Sequence, residues 1–192
     1  KSEADSFFRK VVRNTTELLI ALSLIALPVI SLFFLLIANT EYYPAFSLVP
    51  AFLVYAVATV LSTVVGSVFQ AVEKTEQIAL TSFLGTIATV VISVFTIGRI
   101  GTLGVAWGLA AGSIVMLVLR YQFARRHVSG LSLGLSNWLL IALLLACSAL
   151  YLLFGSSWGL GGNSVWLIVT CTLFLPVFIK ALRGLRGIPD AV

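Results

Sequence analysis

The chain has 192 residues, of which 60% are hydrophobic and 10% charged, with a mean hydropathy of +1.11. A soluble domain is about 45–50% apolar and about 25% charged, so this chain has too few polar side chains to cover a water-facing surface, and a soluble globular domain is excluded. Twelve Lys and Arg against seven acidic residues give a formal charge of +5, but the bases flank apolar runs instead of forming a patch, so they read as topology signals and not as a nucleic-acid surface.

Residues 1–17 come first. Phe7, Phe8, Val11 and Val12 recur at helical spacing with Arg9, Lys10 and Arg13 between them, which predicts a short amphipathic helix lying along the membrane surface, the alternative being a solvated extension of the first spanning helix. Six apolar runs follow, at about 18–38, 45–72, 77–97, 103–123, 138–154 and 165–182, each of roughly the 20 residues that a helical crossing needs. Turn formers, glycines or charges separate them: 39–44, 73–76, 98–102, a loop over 125–137 and a second over 155–164. Lipid offers no hydrogen bonds to irregular backbone, and the alternation of a barrel strand is absent. The expected fold is all-α, a polytopic membrane bundle of six transmembrane helices preceded by the interfacial segment and followed by a tail over 183–192.

Counting bases on alternate sides sets the direction. Lys1, Arg9, Lys10, Arg13, Lys74, Arg120, Arg125, Arg126, Lys180, Arg183 and Arg186 fall on one side and Arg99 alone on the other. The positive-inside rule then places both termini in the cytoplasm. Arg120, near the end of the fourth run, is expected to snorkel to the inner headgroups.

The chemistry of an enzyme is missing. The single histidine, His127, lies in a basic loop, so no metal cluster and no Ser/His hydrolytic pair can be assembled. No phosphate-binding Gly-Lys-Ser/Thr loop occurs, and Glu17, Glu41, Glu73 and Glu76 flank the runs without interrupting them. Cys147 and Cys171 sit inside apolar runs and behave as small hydrophobes. No catalytic residue, metal or cofactor is expected. Small residues stand out instead: Gly104, Gly108 and Gly112 recur every fourth position, forming a stripe on which a neighbouring helix can pack closely. Ser62, Gly66 and Gln70 repeat the spacing in the second run. Pro28 and Pro176 each free a backbone carbonyl within a run and are read as structural kinks.

Three local patterns fall in order at the ends of these runs: Glu41-Tyr42-Tyr43-Pro44-Ala45, Phe69-Gln70-Ala71-Val72-Glu73-Lys74, and the ten residues from Ile97 through Gly98, Arg99 and Gly101 to Ala106. Together they resemble the C-terminal half of the polysaccharide-transporter branch of the multidrug/oligosaccharidyl-lipid/polysaccharide exporter superfamily, with Glu73 where that family carries a glycine. The resemblance implies a flippase in the cytoplasmic (inner) membrane for lipid-linked oligosaccharide in surface polysaccharide biosynthesis, working by alternating access of two bundles. It also implies that 18–124 is the four-helix part of the C-terminal bundle, that 138–182 is an additional helix pair, and that an N-terminal half of the same chain is the partner of both. On this basis Arg99 and Gln70 are candidate substrate-binding residues. Arg99 is alternatively a headgroup anchor, and Gln70 alternatively marks a helix end. Two other functions fit the same composition: half of a multidrug-type cation antiporter, and a membrane scaffold subunit that transports nothing.

Overall fold

The computed structural model describes residues 2–36, 43–126, 135–154 and 159–186. Among them there is no strand. The order is α1 (Ser2–Leu36), α2 (Tyr43–Phe46), α3 (Val49–Ala71), α4 (Glu76–Ile100), α5 (Thr102–Ala124), α6 (Leu135–Phe154) and α7 (Gly159–Arg186). Five of them, α1, α3, α4, α5 and α7, are long and apolar enough to cross a membrane, and α6 has a shorter apolar stretch, Leu139–Tyr151. The chain is an all-α helical membrane bundle. The expected loop over 125–137, with His127, lies mostly outside the described residues, as do most of 39–44 and the last residues of the tail.

The boundary expected near Leu18 is absent. With neither glycine nor proline before Pro28 to interrupt it, α1 runs unbroken for 35 residues, about 52 Å at 1.5 Å per residue. That exceeds a hydrocarbon core of about 30 Å, so the interfacial segment is the projecting end of the first spanning helix. Arg9, Lys10 and Arg13 are exposed on it and Val12 is buried. Pro28 and Pro176 both lie inside continuous helices.

The chain divides into two compact units. The first joins residues 1–12 with 51–132, and the second joins 13–50 with 133–192. The first apolar run therefore groups, from Arg13 onward, with α6 and α7, a grouping that differs from the 18–124 and 138–182 division expected from sequence. In the second unit, α1 buries Ile20, Leu24, Leu27 and Ser31, and α6 buries Leu144, Cys147, Ser148 and Tyr151, both at the three-and-four spacing of a helix face. The rings of Tyr151 and Trp166 lie 6.5 Å apart. A side chain added at Gly184 on α7 would place its Cβ 2.5 Å from Asn14 Nδ2 on α1, so the bare glycine admits Asn14 to this contact.

In the first unit, α4 and α5 form a tight hairpin. Thr96 Oγ1 donates to Gly104 O across the pair at 3.0 Å. The turn between the helices is a single residue, Gly101, at φ 59° and ψ −139°, a region close to one that only glycine occupies at low cost. At the other end of α4, the chain leaves α3 through a Schellman turn. Lys74 N donates to Phe69 O at 2.8 Å and Glu73 N to Gln70 O at 3.2 Å, with Glu73 at φ 57°. This is the left-handed position where helices usually place glycine. Glu73→Gly is expected to stabilise the protein by about 1 kcal/mol, because a side chain in that conformation costs roughly that much. A thermal melt of the purified protein in detergent checks it.

Along its whole length α4 buries only Thr81 and Gly85. Phe83, Val90, Val94 and Phe95 are exposed, as a helix with a lipid-facing side requires. Several hydroxyls are satisfied within their own helices: Thr63 donates to Thr59 O, Thr86 to Ser82 O, and Thr170 to Trp166 O. Such back-bonding hides polar atoms that have no water to turn to.

Candidate functional site: a buried guanidinium in the first unit

Gly104, Gly108 and Gly112 line the face of α5 that meets α4. A Cβ added at Gly104 would stand 2.8 Å from the Thr96 carbonyl carbon, one at Gly108 would stand 3.1 Å from Ser93 N, and one at Gly112 would stand 2.7 Å from Gly85 O. The partner face on α4 is itself a stripe of small residues, Gly85, Thr89, Ser93 and Thr96. Its spacing was available in the sequence, and only the α5 half was singled out there. Next along the hairpin, a Cβ at Gly85 would lie 2.8 Å from Met116 Cβ. Thus the two backbones touch over about three turns.

Beyond Met116 the polar cluster begins. Arg120, one turn before the end of α5, is only 6% exposed. Its Nε donates to Thr81 Oγ1 at 3.1 Å, Nη1 donates to Ser62 O at 3.0 Å, and Nη2 donates to Ser82 Oγ at 2.8 Å. The guanidinium thus ties α3, α4 and α5 together. Snorkelling is corrected by this geometry. Ser62 lies nine residues before the end of α3, about 13 Å along the helix, and Thr81 about 7 Å from the start of α4, so the side chain points into the bundle and away from the helix ends. Room for it comes from Gly66, where a Cβ would stand 3.2 Å from Nη1.

Each element contributes for a local reason. The Ser62–Gly66 pair on α3 leaves a gap with a carbonyl at its edge. On α4, Thr81 Oγ1 donates to Gln77 O at 2.7 Å, which leaves a lone pair for Arg120 Nε. No ion pair involving Arg120 occurs among the described residues, where the one found is Arg13–Glu17, within α1, at 3.9 Å. A guanidinium has five N–H donors, so two have no protein acceptor among the described residues. Ser62 Oγ and Gln77 Oε1 are buried and also lack a hydrogen-bond partner there. The arrangement is a fixed cation among neutral dipoles, with spare donors and acceptors and no nucleophile or general base. No group of His, Cys, Asp or Glu able to hold a metal occurs among the described residues.

The residues singled out for substrate stand elsewhere. Gln70 is exposed at the end of α3, and Arg99 is exposed in the last turn of α4. Arg99 is thus at the end of α4 far from Gln70, about 35 Å along the helix, so the structure does not bring the two together. In the sequence, the position of Arg120 near the end of an apolar run matches that of an anchoring base. The available signal was the Ser62–Gly66 gap, a complement to an arginine that becomes visible only once α3 and α5 are paired. No family model, curated protein or solved structure matches this chain.

Proposed function

We propose that this chain supplies membrane helices to a flippase that moves a lipid-linked oligosaccharide across the cytoplasmic membrane by alternating access, in the synthesis of surface polysaccharide. Both ends of the chain are cytoplasmic, as the eleven-to-one division of Lys and Arg implies. The observation that carries the proposal is the buried Arg120 guanidinium with neutral partners and two spare donors. A pyrophosphate-linked headgroup entering a low-dielectric bundle needs a cation on its path, and an ionisable residue inside a span is a functional candidate by default. Two of the patterns that resemble the exporter family also support the proposal by where they fall: Phe69–Lys74 closes α3 in the Schellman turn, and 97–106 holds the one-residue turn at Gly101.

The test is complementation. The intact gene encoding this chain should restore surface polysaccharide to a strain lacking its own lipid-linked oligosaccharide flippase. Export of cationic dyes without restoration would instead assign the helices to an antiporter. Neither activity would leave a scaffold subunit.

A further inference from the structure

We propose that the exposed face of α7 between Leu175 and Arg183 binds an acidic phospholipid of the inner leaflet. Leu175, Pro176, Ile179, Lys180 and Arg183 line a groove of about 430 Å³. Positions 175, 179 and 183 form one helical row and 176 and 180 the row beside it, so the groove changes character along its length. Its first turn is wholly apolar, and the cations Lys180 and Arg183 stand about 7 Å and about 12 Å along the helix from Leu175. Pro176 has no backbone N–H for Thr172 O, and its ring is exposed on this face. Lys180 and Arg183 are both exposed and have no ion-pair partner among the described residues.

An amphiphile with an anionic head fits this polarity. Its acyl chain lies along Leu175, Pro176 and Ile179, and its phosphate is held between Lys180 and Arg183. The cationic end is the end of α7 that the orientation proposed above places at the cytoplasm, which selects the inner leaflet. Only that choice of leaflet rests on the proposed topology. Binding is measured on purified protein and reads out whether or not the chain transports anything.

The experiment is native mass spectrometry of the detergent-purified chain titrated with phosphatidylglycerol or with phosphatidylcholine. Phosphatidylglycerol should be retained and phosphatidylcholine lost. The double variant Lys180→Gln/Arg183→Gln should weaken phosphatidylglycerol binding about thirtyfold, since each base near an anionic lipid surface is worth about fivefold. Ile179→Trp, which fills the groove with both charges intact, should weaken it as well. Arg125→Gln/Arg126→Gln, which removes two exposed bases on the first unit, should leave it unchanged. Equal retention of the two lipids would overturn the proposal. So would undiminished binding by either α7 variant, an equal loss in the Arg125/Arg126 control, or displacement of phosphatidylglycerol by equimolar polyprenyl diphosphate, which would make the groove a site for the carried lipid.

Discussion

Gly112→Leu is expected to lower the melting temperature in detergent by about 6–12 °C. Even the first atom of a side chain at this position would lie 2.7 Å from Gly85 O, and because that neighbour is backbone, no rotamer change relieves the clash. Overpacking a fitted interface costs about 1–3 kcal/mol. Prising α4 and α5 apart also removes the contacts at Thr96–Gly104 and Ser93–Gly108, so the upper end applies. For a chain of this size, each kcal/mol is about 2–4 °C. Gly98→Leu on the same hairpin provides the contrast: nothing lies within 4 Å of a Cβ there, and no loss is expected. An unchanged melt for Gly112→Leu would mean that the stripe faces lipid.

The second large effect is on activity. Arg120→Met should reduce transport about a hundredfold while moving stability by no more than about 2 kcal/mol. The guanidinium makes three hydrogen bonds, each worth about 4–6 kcal/mol in an apolar medium before desolvation is counted, and against them stands an idealised cost of order 20 kcal/mol for burying an ion. These nearly cancel, so an apolar side chain of similar length is tolerated. Under the proposed flippase function, transport has no such compensation. Losing the cation leaves an anionic headgroup unpaired, and a charge deep in a bilayer costs at least about 2.5–3.5 kcal/mol. Gly66→Leu, which evicts the guanidinium from its gap, should lose stability and transport together. If Arg120→Met unfolds the protein, Arg120 is a structural tie between helices. If Arg120→Met transports normally, the cation has no part in translocation.

The helical architecture was legible because composition and run length leave a chain in lipid no alternative to helices. Gly104, Gly108 and Gly112 were legible as a stripe, since spacing alone reveals a face. What covers that face was not, because the complementary stripe on α4 is built partly of Thr89, Ser93 and Thr96, which read as polar until the Thr89 and Thr96 hydroxyls are seen folded back on the carbonyls of Gly85 and Ile92. The choice between an interfacial helix and an extension of α1 was not legible for a related reason. An amphipathic turn followed by an apolar run has the same pattern whether or not the helix bends between them, and nothing local at Leu18 breaks it. Arg120 was the least legible. One base near the end of an apolar run fits a headgroup anchor or a buried tie equally well, and only the pairing of Gly66 with the guanidinium decides between them. The αL conformation of Glu73 was likewise hidden, although a glutamate where the resembling family carries glycine had marked the position.

The claim on which the rest depends is that the bundle crosses a membrane with the Arg120 cluster at its inner end. Thr75, in the turn beside that cluster, and Thr102, after Gly101 at the far end of α4, are both exposed. In a background lacking Cys147 and Cys171, Thr102→Cys should react with a membrane-impermeant thiol reagent added to intact cells. Thr75→Cys should react only after the cells are permeabilised. Labelling of Thr75→Cys in intact cells, or equal labelling of the two positions before permeabilisation, would contradict the orientation and with it the inner position of Arg120.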